Sequence, residues 1–289
     1  MSFDLFFASA LFPSVYPFLM LLAIGTGAVL LRRHQRELEL PTEARIAIGI
    51  AAFCGAMIGA KLPFLFVDWD RFLAGTAWFS SGKTIMCGMV GAYLAVELTK
   101  WILEIRTKTG DSFAVPVAVT VGIGRLGCLS AGCCFGVTTD APWAMRCALN
   151  DDLLRHPTQI YESLFHFCMA GLCFAIERKF PKTIESTASH ANCVTLSHAG
   201  SSTIWTKFVQ GQLVKLYILA YLIYRLATEF IRPELRYAAG LTLYQWFAIT
   251  CIPIFVGLWW YDIKDRFAER AYSSDSRSPT SSSSEDSSC

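Results

Sequence analysis

Charged side chains are scarce in this chain: only 17% of its 289 residues are Asp, Glu, Lys or Arg, and 54% are hydrophobic. Together with a mean hydropathy of +0.42, this composition lies well outside the averages of soluble domains. A membrane protein is therefore predicted. The net charge of +2 does not indicate a nucleic-acid partner, because the basic residues are used to set membrane topology.

The apolar segments also lack the strand-like alternation of a membrane barrel and are rich in Gly, Ala, Leu and aromatic residues. A helix needs roughly 20 residues to cross a bilayer about 30 Å thick. We predict an all-α polytopic fold with seven transmembrane helices at 17–31, 46–67, 85–103, 113–130, 158–176, 212–231 and 241–261.

Lys and Arg collect at alternate ends of these segments, at 32–45, 100–108, 178–182 and 264–270. Cytoplasmic ends of membrane spans are enriched in these residues. We therefore predict an outside N-terminus, a cytoplasmic C-terminus, and outer loops that include 132–156. The other two outer loops are predicted at 68–83 and 233–240.

The chain lacks a basic region and cleavage site at its N-terminus, so a retained first segment is predicted. Residues 1–270 are predicted to form one seven-helix domain, with 182–207 as a cytoplasmic loop. The Ser-rich residues 271–289 are predicted to be a disordered cytoplasmic tail. Four small residues are predicted to allow close helix packing, and these are Gly55, Gly59, Gly88 and Gly91.

Two predicted spans contain ionisable side chains, which are costly in hydrocarbon and usually mark a functional cavity. Arg125 lies toward the outer end of the fourth span, and Arg225, Glu229 and Arg232 follow one helical face of the sixth. One interpretation is that Arg225 pairs with Glu229 while Arg232 extends to the interface. The alternative, which also accounts for Arg125, is that guanidinium groups from two helices bind the phosphate of a phospholipid headgroup.

The outer loop leads into the fifth span through RHPTQIYES, which carries four polar candidates: His156, Gln159, Tyr161 and Glu162. These groups are either helix caps and interface anchors or line the mouth of the cavity that holds Arg125.

Eleven cysteines are present. Four lie inside apolar spans and are predicted to pack as small hydrophobes, namely Cys54, Cys168, Cys173 and Cys251. A second group consists of Cys87, Cys128, Cys133 and Cys134. Three interpretations of this group stay open: a Zn site, an outer-face disulfide or packing. No CxxC pair accompanies this group and adjacent cysteines ligate one ion only with strain, so no metal site is predicted.

Several segments resemble the prolipoprotein diacylglyceryl transferases in order and spacing: GAMIGAKL, SGKTIMCGMVGAYLAVELTK, GRLGCLSAGCCFG, RHPTQIYES and GQLVKLYILAYLIYRLATEFIRPE. The resemblance spans residues 16–259. It implies a multi-pass enzyme of the bacterial inner membrane that moves the diacylglyceryl group of phosphatidylglycerol, a membrane lipid, onto the lipobox cysteine of a prolipoprotein signal peptide. A thioether forms, glycerol phosphate leaves, and no cofactor is expected.

The resemblance also implies roles for individual residues. Arg125 matches the family's glycine-arginine signature, Gly136 its closing glycine, and Arg225 with Glu229 the sixth-span motif. The expected catalytic residues are Tyr16, Cys87, Arg125, Arg225 and Glu229. The expected substrate-binding residues are Gly124, Gly127, Cys128, Cys133, Gly136, His156, Gln159, Tyr161, Glu162 and Arg232.

Three positions depart from the family's pattern. Cys128 stands in place of Asn, Cys133 in place of Glu, and Cys87 in place of a His that is a candidate base for the acceptor thiol. This third departure leaves open a paralogous transferase with a different acceptor. A non-catalytic lipid carrier or scaffold is a further alternative.

Without that His, the bases available for the acceptor thiol are Glu229, Glu162 and His156. Glu229 ranks first because it shares a helical face with Arg225. A transporter is not favoured, since the charges lie toward one end of their spans and no inverted repeat is evident.

Overall fold

The structure is a computed structural model that describes residues 14–36, 38, 40–67, 84–148, 151–179 and 211–275. Within these residues the chain forms, in order, α1 (Val15–Arg36), α2 (Thr42–Val67), α3 (Ile85–Ile102), α4 (Asp111–Ser130), β1 (Met145–Ala148), β2 (Asp151–Arg155), α5 (Thr158–Lys179), α6 (Leu213–Thr228) and α7 (Leu243–Asp275). Two short 3-10 helices, Glu229–Ile231 and Ala238–Gly240, connect α6 to α7. The predicted loops 68–83 and 182–207 lie outside the described residues.

Six of the described helices, all except α6, are long and apolar enough to cross a membrane. This agrees with a helical multi-pass protein. The predicted sixth span, 212–231, contains an α-helix of only 16 residues, because the chain changes to 3-10 geometry at Glu229. That change directs Glu229 and Arg232 toward a buried polar cluster around Glu162.

Helices α2 and α3 pack backbone against backbone at the predicted small residues. A Cβ added at Gly59 would lie 2.4 Å from the carbonyl oxygen of Cys87, and one added at Gly91 would lie 2.4 Å from that of Gly55. A Cβ at Gly88 would lie 3.2 Å from a backbone oxygen of α2. These distances confirm the four glycines as helix-packing positions, since a methyl group at Gly55, Gly59 or Gly91 would force the helices apart.

The main core lies between α3, α4, α5, α6 and α7 and includes Cys173, Tyr217, Leu222 and Phe255. Large apolar side chains cover the outside of the bundle instead of polar ones; Leu21 is 70% exposed and Trp101 78%. An apolar exterior of this kind is expected where lipid replaces water. Of the four cysteines predicted to pack in the spans, Cys173 and Cys251 are buried, and Cys54 and Cys168 face outward.

Contacts between helix ends show which loops share an end of the bundle. The backbone N–H of Val137, in the predicted outer loop 132–156, donates to the carbonyl of Ile231 at 2.9 Å. At the opposite end, the Nε2 of His34 lies 3.2 Å from the carboxylate of Glu177. The predicted outer loop 132–156 therefore meets the end of the predicted sixth span, and the basic ends of α1 and α5 meet each other at the opposite end of the bundle.

The predicted outer loop contains an antiparallel hairpin that is not expected from the sequence. Strand β1 pairs with β2 in a register that places Met145 opposite Arg155, with an irregularity between Arg146 and Ala148. The side chain of Cys147, which lies on β1, is fully buried.

Helix α7 continues to Asp275, past residue 271, which is the predicted start of the tail. Residues 276–289 lie outside the described part.

Candidate active site

Glu162, on the first turns of α5, is the centre of a buried polar cluster. Its Oε1 accepts a hydrogen bond from Nη2 of Arg125 at 2.7 Å and another from the hydroxyl of Tyr221. Its Oε2 accepts one from Nη2 of Arg232 at 2.7 Å, and Nη1 of Arg225 lies 3.9 Å away. The placement of Glu162 at the mouth of the cavity is therefore wrong: its side chain is 0% exposed and joins three arginines from separate parts of the chain.

A second carboxylate belongs to the same cluster. Oε2 of Glu229 accepts a hydrogen bond from Nη2 of Arg225 at 2.7 Å, and its Oε1 accepts one from the hydroxyl of Thr242 at 3.3 Å. The predicted pair of Arg225 and Glu229 is thus present. The extension of Arg232 to the membrane interface is not, because α6 ends before it and its extended backbone (φ −104, ψ 146) directs the buried side chain to Glu162.

The cluster holds more positive than negative charge. Three guanidinium groups face two carboxylates, so one positive charge is uncompensated. Among the described residues, Nε of Arg125, Nε and Nη1 of Arg225 and Nε of Arg232 are buried without a hydrogen-bond partner. Buried donors of this kind are costly unless a ligand pairs with them. The cluster can therefore bind one anion that offers several acceptor oxygens.

A second set of buried polar residues supports the central carboxylate. Nδ1 of His166 lies 2.7 Å from the hydroxyl of Tyr217, and its Nε2 lies 4.0 Å from Oε1 of Glu162. These residues are not among those predicted from the sequence. Their signal is spacing, because Tyr217, Tyr221 and Arg225 recur every four residues on α6, and Glu162 and His166 share the same spacing on α5.

An apolar cavity of about 370 Å³ lies beside the cluster, between α2, α3, α4 and α6. Its walls include Thr84, Met89, Phe113 and Tyr217. Tyr217 lines this cavity, and its hydroxyl lies 2.7 Å from His166, so the second set of polar residues connects the cavity to the cluster. A cavity of this size and lining suits a hydrocarbon chain.

Two of the predicted substrate-binding residues fix the outer loop onto the bundle. Nε2 of Gln159 donates to the carbonyl of Cys133 at 2.6 Å. The backbone N–H of Gly136 donates to the carbonyl of His156 at 2.9 Å, and a Cβ at Gly136 would lie 2.8 Å from the carbonyl oxygen of Ile231. Gln159 is 0% exposed, so it holds backbone and does not line an opening.

The polar rim of the site consists of three side chains. The hydroxyl of Tyr161 accepts a hydrogen bond from Nε1 of Trp143 at 2.6 Å, and Nδ1 of His156 lies 3.2 Å from it. The ring of Trp143 is 58% exposed. An exposed indole bonded to a tyrosine is typical of residues at a membrane interface.

Tyr16 begins α1, where it is 38% exposed and packs on the outer end of α4. A Cβ added at Gly127 would lie 3.6 Å from Cδ2 of Tyr16 and 3.2 Å from Cε of Met20. A Cβ at Gly124 would meet only Met20, at 3.9 Å. Helix α1 therefore approaches α4 closely at Gly127 and less closely at Gly124.

Comparison with known proteins identifies the family. A family profile described as prolipoprotein diacylglyceryl transferase matches residues 7–261. The chain belongs to the prolipoprotein diacylglyceryl transferase family. It is 24% identical over 270 residues to the phosphatidylglycerol–prolipoprotein diacylglyceryl transferase of Clostridium tetani (strain Massachusetts / E88), covering 89% of this chain and 95% of that protein.

Two further relatives carry the same name. The Pseudomonas aeruginosa protein (strain LESB58) is 27% identical over 257 residues, which cover 83% of this chain and 84% of that protein. The Vibrio vulnificus protein (strain YJ016) is 32% identical over 121 residues, which cover 39% of this chain and 44% of that protein. These relatives are transferases, and the chain is a member of their family.

In this member of the prolipoprotein diacylglyceryl transferase family, the four grouped cysteines separate into two places. Cys87 is 3% exposed and lies in the core on α3. The other three, Cys128, Cys133 and Cys134, lie together at the C-terminal end of α4, with their sulfur atoms within 4.8 Å of one another.

Proposed function

We propose that this protein transfers the diacylglyceryl group of phosphatidylglycerol to the thiol of a lipobox cysteine in a prolipoprotein signal peptide. A thioether forms and glycerol phosphate is released. The observation that carries the proposal is the one uncompensated positive charge of the arginine cluster, with its unused donors, beside an apolar cavity of about 370 Å³. A lipid phosphodiester has one negative charge and apolar chains, and the relatives are named for this substrate and acceptor.

In the proposed reaction the acceptor sulfur attacks the glyceryl carbon, and the bond between that carbon and the phosphate oxygen breaks. Negative charge builds on the departing phosphate, where Arg125 and Arg225 stabilise it. Their planar guanidinium groups match phosphate oxygens and stay charged when buried. Arg232 and Glu162 hold these groups in place, since Glu162 bonds two of the three arginines at 2.7 Å.

Glu229 is proposed as the base that receives the proton of the acceptor thiol. Its carboxylate already contacts Arg225 at 2.7 Å, so proton transfer and departure of the phosphate would occur next to each other. Tyr16, the rim formed by His156 and Tyr161, and the loop residues around Gly136 are proposed to receive the lipid and the acceptor peptide.

We also propose that α6, continued by the 3-10 helix, is the seventh membrane span, in the cytoplasmic membrane of a bacterium. The N-terminus and the arginine cluster would face the outside, because the basic residues after α1, α3 and α5 favour the cytoplasmic side. Labelling single exposed cysteines with a membrane-impermeant reagent in intact cells tests this orientation.

The test of the proposed function is transfer from labelled phosphatidylglycerol to a synthetic lipobox peptide by the purified full-length protein in detergent. Label is expected on the peptide, with release of an equal amount of glycerol phosphate. A peptide with Ser in place of its Cys is the matched control and should receive no label. Lipid that stays bound without release of glycerol phosphate would indicate a carrier and contradict the proposal.

A second candidate is a transferase of the same chemistry with a different acceptor. Cys87 favours it, because this core position of α3 carries a thiol where the resemblance leads us to expect a His. That candidate predicts release of glycerol phosphate without label on the lipobox peptide.

A further inference from the structure

The three cysteines at the outer end of α4 form a compact set of sulfur atoms, here called the thiol cluster: Cys128, Cys133 and Cys134. Their sulfurs lie within 4.8 Å of one another. Three thiolates bound to one tetrahedral cation at about 2.3 Å are separated by roughly 3.8 Å. Side-chain adjustments of less than about 1 Å would therefore bring the cluster to a cation-binding geometry.

The backbone explains how two adjacent cysteines can face one centre. Cys134 has a left-handed conformation with φ 62, which is uncommon for a residue with a side chain. In an extended chain neighbouring side chains point to opposite sides, whereas this turn brings Cys133 and Cys134 together. Adjacent cysteines are expected to ligate one ion only with strain, and the left-handed conformation of Cys134 is such a strain.

Hydrogen bonds from α5 hold the loop that carries the thiol cluster. The carbonyl of Cys133 accepts a hydrogen bond from Gln159 at 2.6 Å, and that of Cys134 accepts one from the hydroxyl of Thr158 at 2.7 Å. The N–H of Cys133 donates to the carbonyl of Cys128 at 3.1 Å. Each of these bonds uses backbone groups of the cysteines and holds the loop in place. The thiol of Cys133 also donates to the carbonyl of Cys128 at 3.5 Å.

The cluster is also adjacent to the arginines. Cys128 follows Arg125 by three residues on α4, which places both on the same side of the helix. Cys134 is exposed, so a ligand can reach the cluster from outside.

We propose that the thiol cluster binds a thiophilic divalent cation with a filled d shell, such as Zn²⁺, and leaves the fourth coordination position for the thiol of the acceptor. Among the described residues, the group has three ligand side chains, which is the number that catalytic zinc sites use while keeping one position open. The second half of this inference rests on the proposed function.

The bound cation would activate the acceptor thiol, a role for which α3 has no His. Where the resemblance implies a His next to the acceptor, this chain has Cys87, and a thiol bound to a cation is deprotonated. The thiol proton passes to Glu229, the sulfur forms its bond to the glyceryl carbon, and the carbon–oxygen bond to phosphate breaks with both electrons going to oxygen. The arginines then hold the glycerol phosphate that leaves.

Binding is tested by adding Co²⁺ to the reduced, metal-free full-length protein in detergent and recording thiolate-to-cobalt absorption. One Co²⁺ per chain is expected, displaced by Zn²⁺. Cys133→Ser and Cys134→Ser should each weaken binding at least about tenfold. Cys54→Ser and Cys168→Ser remove outward-facing cysteines elsewhere and should leave binding unchanged. Absence of the absorption, equal binding in all four variants, or a disulfide within the cluster of protein purified without reductant would overturn the site.

The open position is tested with the lipobox peptide. Its thiol should shift the Co²⁺ absorption, whereas the Ser peptide should not, and an unchanged spectrum would overturn acceptor binding. Transfer by Zn²⁺-loaded protein should exceed that by metal-free protein at least about tenfold. Equal transfer would overturn thiol activation while the proposed function stands. A Co²⁺ spectrum without transfer by either sample would support the cation site and contradict the proposed function.

Discussion

The substitution Glu162→Gln tests whether one buried carboxylate holds three arginines together. The carboxylate accepts two charged hydrogen bonds at 2.7 Å and a third from Tyr221. A neutral amide keeps the shape but leaves two positive charges uncompensated, and its NH₂ group faces a guanidinium. Breaking a buried ion pair by removing one partner costs about 3–5 kcal/mol, and we expect a loss of stability in that range.

Unfolding of the variant in detergent, followed by thermal or denaturant melting, measures this loss. The matched control is Glu97→Gln, because Glu97 pairs with Lys100 at 3.2 Å while its side chain is 44% exposed. An exposed pair contributes about 1 kcal/mol or less, so the control should melt close to the unmodified protein. If Glu162→Gln is as stable as the control, the arginines do not depend on a shared carboxylate and the description of the cluster is refuted.

Three smaller predictions follow from individual contacts. Tyr221→Phe removes one hydrogen bond to the central carboxylate and should cost about 1 kcal/mol in the same melting assay; an unchanged melt would show that the bond is absent in solution. Gly59→Ala places a methyl group 2.4 Å from a backbone oxygen of α3 and should cost about 1–3 kcal/mol, whereas Gly257→Ala, with nothing within 4 Å, should cost nothing measurable. At neutral pH, iodoacetamide should modify Cys134 of the metal-free protein well before Cys147. The pKa of Cys134 is lowered by the neighbouring thiols, while burial raises the pKa of Cys147 to about 11. Peptide mapping that shows equal rates of modification at the two thiols would contradict both pKa directions.

The helices could be predicted from sequence because apolar runs of membrane length leave few other structures possible. Arg125 and Arg225 could be identified for a related reason, since a permanent charge within such a run is conspicuous. The partners of these charges could not be identified. Glu162 lies one turn into α5, where an acidic residue is also compatible with an interfacial position, and only the packing of α4, α5 and α6 shows that it is central.

Local backbone changes account for other differences between prediction and structure. Helical spacing places Arg232 on the same face as Arg225, and both lie beside Glu162. The 3-10 turn at Glu229–Ile231 ends the helix, so that Arg232 is buried against Glu162 and does not extend to the interface. The hairpin β1–β2 lies in a segment rich in turn residues, where strand pairing depends on contacts with the rest of the loop. The thiol cluster depends on a single left-handed residue, Cys134, whose conformation no sequence pattern indicates.

The central claim is that guanidinium groups from two helices stabilise one anionic phosphate. Initial rates of label transfer from phosphatidylglycerol by Arg125→Ala, Arg225→Ala and Arg236→Ala test it most directly. Arg236 belongs to the same end of the bundle but is exposed, and within the described part of the chain its guanidinium donates to two backbone oxygens, at 3.3 and 3.5 Å. Each of the two buried variants should lose about 10²–10³-fold in rate, and Arg236→Ala should stay near the unmodified rate. Transfer by Arg125→Ala or Arg225→Ala at the rate of Arg236→Ala would contradict the claim.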